Sequence, residues 1–194
     1  MKKLFIIAAA FIALTAFTLA NNTWKNDPPH SQLGFTVSHL GIADISGTFN
    51  DFTVIVTSAK ADFSDASFDL TAKIASIDTR VEQRNEHLKT ADFFDAEKYP
   101  TLTFKSTAIK SAGKNKYKLT GDLTLHGLTK PVTLDLLYRG TTENPMSKKQ
   151  TTGFQVSGII KRSDFGVGSK FPAPLVSDEV QIKADGEFVQ EDGK

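Results

Sequence analysis

Hydrophobic and polar residues alternate with a period of two along most of this chain, the pattern of strands that bury one face. Leu33, Phe35, Val37 and His39 share one side, with Gly34, Thr36 and Ser38 opposite. Ile45, Gly47 and Phe49 fall on odd positions, whereas Phe52, Val54 and Val56 fall on even ones. A slip of one residue turns a strand's apolar set to the other face, so a bend or bulge is predicted at Asn50-Asp51. Further alternating faces follow: Phe68 to Ile74, Leu102 to Ser106, Tyr117 to Leu125, Val132 to Tyr138, Phe154 to Ile160 and Val180 to Phe188. Together these runs predict about eight strands. Turns are expected at Ser64-Asp65, at Ser111 to Asn115 and at His126 to Pro131, with a longer polar loop over Gly140 to Gln150.

One stretch, Ile77 to Ser106, departs from alternation until its last residues. Asp78 and Thr79 suit a helix N-cap, and Glu82 stands three residues after Thr79, the spacing of a capping box. Val81, Arg84/Asn85 and Leu88 then recur at helical spacing, which predicts two to three turns. Asp92 is read as the cap of a second, shorter turn carrying Phe93-Phe94, and Pro100 as the entry to the next strand. A lone helical excursion in a chain of strands is expected to close one end of the sheet.

No alternation of strands with helices is present, so a parallel sheet is disfavoured and the choice is between a sandwich and a closed antiparallel barrel. Gly47, Gly121, Gly158 and Gly186 all fall on inward faces, where glycine suits strongly coiled strands or leaves internal volume. The chain holds fifteen Phe against three Tyr and one Trp. Those rings either fill the interior or line a space within it. Asn21 to Ser31 is polar and broken by Pro28-Pro29, and reads as a leader whose Trp24 folds back on the core.

Composition changes this picture in two ways. Residues 1–20, MKKLFIIAAAFIALTAFTLA, have the basic start, apolar run and small final residue of a secretory signal peptide cleaved near Ala20. That leaves 21–194 as a single domain in the periplasm or outside the cell; an uncleaved anchor is the alternative. Of the 23 basic residues, Lys2 and Lys3 belong to this leader, leaving 21 against 22 acidic ones. So balanced a charge argues against a nucleic-acid partner. The chain has no cysteine. This excludes thiol catalysis, Cys-ligated metals and a lipoprotein anchor.

Candidate chemistry is sparse. His30, His39, His87 and His126 form no H-x-H or HExxH pattern, so no metal site is predicted. His30 is expected to tie the leader to the first strand. On a helix Arg80, Arg84 and His87 share a side, and with Arg162 in the loop RSDFGVGSKFPAP they are candidates to hold a carboxylate or phosphate head group or to brace the closing segment. No paired carboxylates and no phosphate-gripping loop accompany them, which favours binding over catalysis.

Several motifs taken together resemble the YceI-like family. They are Trp24, Asp27-Pro28 and His30-Ser31; then Phe35, Val37, His39, Gly47 and Phe49; then Ile77-Asp78-Thr79, Arg84-Asn85, His87-Leu88, Asp92-Phe93-Phe94-Asp95, Tyr99-Pro100, Phe104 and Ser106. The hairpin GDLTLHGLTKPV and the loop Arg162 to Gly166 complete the likeness. The resemblance implies an all-β fold, an extended antiparallel eight-stranded lipocalin-like barrel with a short helical segment closing one end. It also implies an apolar channel holding an isoprenoid lipid or isoprenoid quinone, in an exported bacterial protein. Phe35, Phe49, Phe104, Leu119, Leu134 and Phe154 would line that channel. A transient membrane contact and a homodimer are compatible with such a protein. Two other readings stay open: a histidine- or metal-dependent enzyme or stress protein, favoured if three of the histidines converge, and an adhesion or scaffold barrel, favoured if the interior is packed solid.

Overall fold

In the computed structural model, which describes residues 21–192, the strands close into one antiparallel barrel. The predicted leader, residues 1–20, lies outside the described residues. The strands are β1 (Asn22–His39), β2 (Ala43–Phe49), β3 (Phe52–Ser58), β4 (Ser67–Lys73), β5 (Ile77–Asp78), β6 (Thr101–Gly113), β7 (Lys116–Leu125), β8 (Leu128–Glu143), β9 (Gln150–Lys161) and β10 (Glu179–Gln190). A helix, α1 (Glu82–Lys89), stands between β5 and β6. The sheet runs β10-β9-β8-β7-β6-β4-β3-β1-β2-β5, and β10 returns to β1 from Trp24↔Gln190 to Thr36↔Gln181, which closes the wall.

Ten segments make eight staves because two staves are broken. The two halves of β1 pair β2 and β3 in turn, and the break between them is the predicted slip at Asn50-Asp51. The neighbouring stave breaks at the same level. A 3₁₀ turn at Ile74–Ser76 separates β4 from β5, with Lys73 N–H donating to Asp51 O at 2.9 Å and Asn50 N–H to Ser76 O at 3.1 Å. β1 itself is irregular between Asn26 and Ser31, around Pro28-Pro29. There the Asn26 side chain replaces a main-chain acceptor, taking the Val54 N–H at 2.7 Å.

Three boundaries differ from expectation. The first strand begins at Asn22, so the polar stretch is part of the barrel and is no leader; pairing with β10 and β3 supplies what local alternation lacks. The β7–β8 turn is only His126-Gly127, both at positive φ, as a two-residue hairpin requires, and Pro131 lies within β8 opposite Asp122. The β8–β9 loop narrows to residues 144–149.

The registers place the β1–β2 turn, α1, the β7–β8 turn and the 162–178 loop at one end, the lid end. The β3–β4, β6–β7 and β8–β9 connections lie at the other. That far end is closed by an aromatic plug absent from the sequence-based expectations. Phe63, in the β3–β4 loop, sits 4.9 Å from Phe154, 5.0 Å from Tyr138 and 5.6 Å from Trp24, ring centre to ring centre. The Trp24 and Phe154 pairs are edge-to-face, a geometry worth about 0.5–1.5 kcal/mol each beyond the buried area, and the Tyr138 ring is tilted. Tyr117 fixes the loop by donating its hydroxyl to Asp62 O at 2.5 Å.

Candidate functional site: an apolar cavity under a helical lid

Between plug and lid lies a cavity of about 500 Å³ with an almost wholly apolar wall. Its existence can be read residue by residue. Val54, Leu70, Leu123, Val132, Val156 and Ile182 all face inward and line it, yet each is only half-buried. An inward side chain that keeps exposed surface borders empty space. Phe35, Phe49, Phe104, Leu119, Leu134 and Phe154 also stand on this wall. All but Phe35 are buried against neighbours, so the free surface belongs more to the smaller aliphatic residues than to the rings.

Inward glycines do not leave the volume. A Cβ on Gly47 would lie 2.5 Å from Phe35 Cζ, one on Gly121 2.4 Å from Phe104 Cζ, and one on Gly158 2.5 Å from Leu134 Cδ2. Each glycine is the bed on which a wall side chain lies, and so sets where the wall stands.

The lid is built on hydrogen bonds more than on amphipathicity, since Leu88 is the one apolar residue of α1. The predicted capping box does not form: Val81 takes the N-cap position with no side-chain cap. Asn85 draws Thr79 away from that role. Its Oδ1 accepts from Thr79 N–H at 2.8 Å and Thr79 Oγ1–H at 2.7 Å, while its Nδ2 donates to Asp78 Oδ1 at 3.2 Å. The Arg80 main-chain N–H, then the Asn85 amide, hold the Asp78 carboxyl below the usual aspartate range. Asp92 caps no helix. It accepts from Lys170 Nζ at 2.5 Å and lies 3.5 Å from His87 Nε2, so Lys170, then His87, hold it low in the same way. Phe93 stacks on Phe171 at 4.7 Å, tying the lid to the 162–178 loop.

The four candidate polar residues separate. Arg80 precedes α1 at φ 65°, exposed and off the cavity wall, so it shares no helical face with the others. Arg84 is on the wall. Its Nε donates to Thr79 Oγ1 at 2.8 Å and its Nη2 to Thr79 O at 2.7 Å, and no carboxylate pairs with it among the described residues. His87 is on the wall too, edge-on to Phe93 and Phe171 at 5.1 and 5.5 Å. Arg162 is buried and spent on main-chain carbonyls: Nε to Ser177, Nη1 to Val167 and Gly168, Nη2 to Phe171 and Val176. It braces the loop and has no donor left for a ligand.

The histidines are dispersed. His39 and His87 are on the cavity wall, and His126 packs on Tyr99 and meets Phe165 O at 3.1 Å. His30 lies outside at the β1 bulge, 2.7 Å from Asp27 Oδ2 and near Glu187; the hydrogen bond and charge of Asp27 raise its pKa. It bonds within the strand and ties down no leader.

Fold and site define a class: a closed eight-stranded β-barrel whose interior is an apolar cavity with a lid. The chain matches the YceI-like domain over residues 24–188 and belongs to that family. A UPF0312 protein of Photorhabdus laumondii is 39% identical over 166 residues, 84% of this chain and 85% of that one. The protein YceI of Escherichia coli O157:H7 is 37% identical over 192 residues, 98% of each chain. Among solved structures, Burkholderia cenocepacia BcnA superposes with a TM-score of 0.73 at 32% identity, covering 84% of this chain and 98% of its own. A polyisoprenoid binding domain from Saccharophagus degradans, at 15% identity, shares the fold with a TM-score of 0.65 over 90% of this chain and 100% of its own.

Proposed function

We propose that this protein is an exported, non-catalytic carrier or sequestering agent for an isoprenoid-type lipid, held tail-first in the barrel. The observation that carries the reading is the row of inward aliphatic side chains left half-exposed around the 500 Å³ cavity. Such a volume lies in the range of small-molecule pockets. At the ~30 Å³ that a water-sized atom occupies in a liquid, it takes on the order of fifteen to twenty carbons, three to four isoprene units. A longer tail extends through the lid end. Each buried CH₂ contributes about 0.8 kcal/mol before the tail's ordering is charged against it.

Arg84 stands on the wall with no carboxylate partner among the described residues and, unlike Arg162, does not spend all its donors on main-chain carbonyls, so it suits the anionic or carbonyl head group of an isoprenoid phosphate, acid or quinone. The predicted leader supports delivery to the periplasm or the exterior. The unfilled interior argues against a solid scaffold barrel. Displacement of an apolar fluorophore from delipidated protein by geranylgeraniol tests the reading. Saturable displacement supports it, and none at any concentration contradicts it.

A further inference from the structure

The lid end carries an apolar rim. Leu40 and Ile42, in the β1–β2 turn, are 50% and 85% exposed, and Leu175 beside them is 39% exposed. The rim is held in place: Leu40 N–H donates to Leu175 O at 3.1 Å, Ile42 N–H to His39 O at 3.1 Å, and His39 bridges to Val176. Local chemistry argues for polar residues here. The tip is exposed, and Leu40 sits at φ 54°, where Asn, Asp or Gly is at ease and leucine is not. Behind the rim the apolar surface does not stop. Val37, Ile45, Leu175 and Val176 continue it as cavity wall.

We propose that Leu40, Ile42 and Leu175 dock shallowly into a lipid bilayer, so that a tail passes between bilayer and cavity without crossing water. This rests on reading the cavity as a lipid site. The area argues for a bilayer as the occupant. Three such side chains offer on the order of 300 Å², within the range of the largest apolar patch on a typical monomer, which is often functional. A stable protein partner covers about 800 Å² on each side. The nearby charges are mixed, with Asp44 in the sequence just after the tip and Lys170 bonded to Asp92. Docking is therefore driven by apolar insertion and does not require anionic lipid. Met146 is the built-in control: it is 93% exposed, but in the β8–β9 loop at the far end.

The experiment is co-flotation of the purified protein with phosphatidylcholine vesicles and with 3:1 phosphatidylethanolamine–phosphatidylglycerol vesicles. The double variant Leu40→Asn/Ile42→Ser keeps a residue tolerant of positive φ at the turn. It is expected to lower the bound fraction of both vesicles at least tenfold, while Met146→Ser and 0.5 M salt change it less than twofold. Geranylgeraniol uptake from ethanol should be unchanged in the double variant, and uptake from vesicles should fall with flotation. Flotation equal to wild type in the double variant, or none in wild type, overturns the docking and leaves uptake from ethanol as separate evidence for the cavity. Flotation confined to anionic vesicles and abolished by salt overturns it too, as does a dimer that the double variant dissolves. Rim-dependent flotation with no uptake by either route upholds the docking and sinks the cavity reading.

Discussion

Arg162→Ala is the substitution whose cost the structure lets us work out best. A guanidinium has five N–H donors, and here all five are used, on the carbonyls of Ser177, Val167, Gly168, Phe171 and Val176, all at 2.5–3.0 Å and all within the 162–178 loop. Hydrogen bonds to a charged group contribute about 1.5–3 kcal/mol each. Full additivity would give about 7 kcal/mol or more, but water reaches part of the loop once the side chain is gone, and about 3–5 kcal/mol is the expected loss. Arg162→Lys offers three donors from one atom and should recover less than half. Urea unfolding gives the free energy, and hydrogen exchange should show protection lost first over residues 166–178. A loss below about 1 kcal/mol, or unchanged exchange in that loop, would refute the reasoning and return Arg162 to the pool of ligand-binding candidates.

The other predictions concern the wall and the lid. Leu123→Trp and Val156→Trp should each abolish geranylgeraniol uptake with only a small change in melting temperature, because the added ring enters empty space; unfolding of both would mean that the interior is packed. Gly121→Ala should cost about 1–3 kcal/mol by urea titration, since its Cβ would meet both Phe104 and the main chain at Lys105, and a neutral result would show the wall to be soft. Asp92→Asn should lower the melting temperature at neutral pH. A carboxylate held low in the folded protein stabilises above its unfolded pKa and loses that contribution as pH falls through the folded value. The gap between wild type and variant should therefore be full above about pH 5 and shrink progressively as pH falls below the unfolded aspartate value of about 3.9, and a gap independent of pH would contradict the tether.

Much of the barrel is legible in local pattern, because strand faces are a period-two property and the slip at Asn50-Asp51 is visible in parity alone. What local pattern misses is made by partners distant in sequence. Asn22 to Asn26 look like a leader until β10 and β3 pair with them. Phe63 is a single ring in the polar run ADFSDAS, and only folding shows that it closes the far end. Thr79 and Glu82 have the spacing of a capping box, but Asn85 and Arg84 compete for the Thr79 side chain and win. Arg162 is visible as a cation beside a glycine-rich loop, yet its acceptors are carbonyls, which leave no trace in side-chain identity. The inward faces predict which residues meet the interior, while the size of the space between them depends on where glycines let opposing side chains lie.

The central claim is that the barrel holds an apolar lipid. Native mass spectrometry of protein purified without detergent from the organism that makes it addresses this most directly. A bound species that is released into organic solvent and carries an isoprenoid fragmentation pattern, absent from Leu123→Trp, is the expected result. Protein that is uniformly free of lipid, with nothing in the extract, would contradict it.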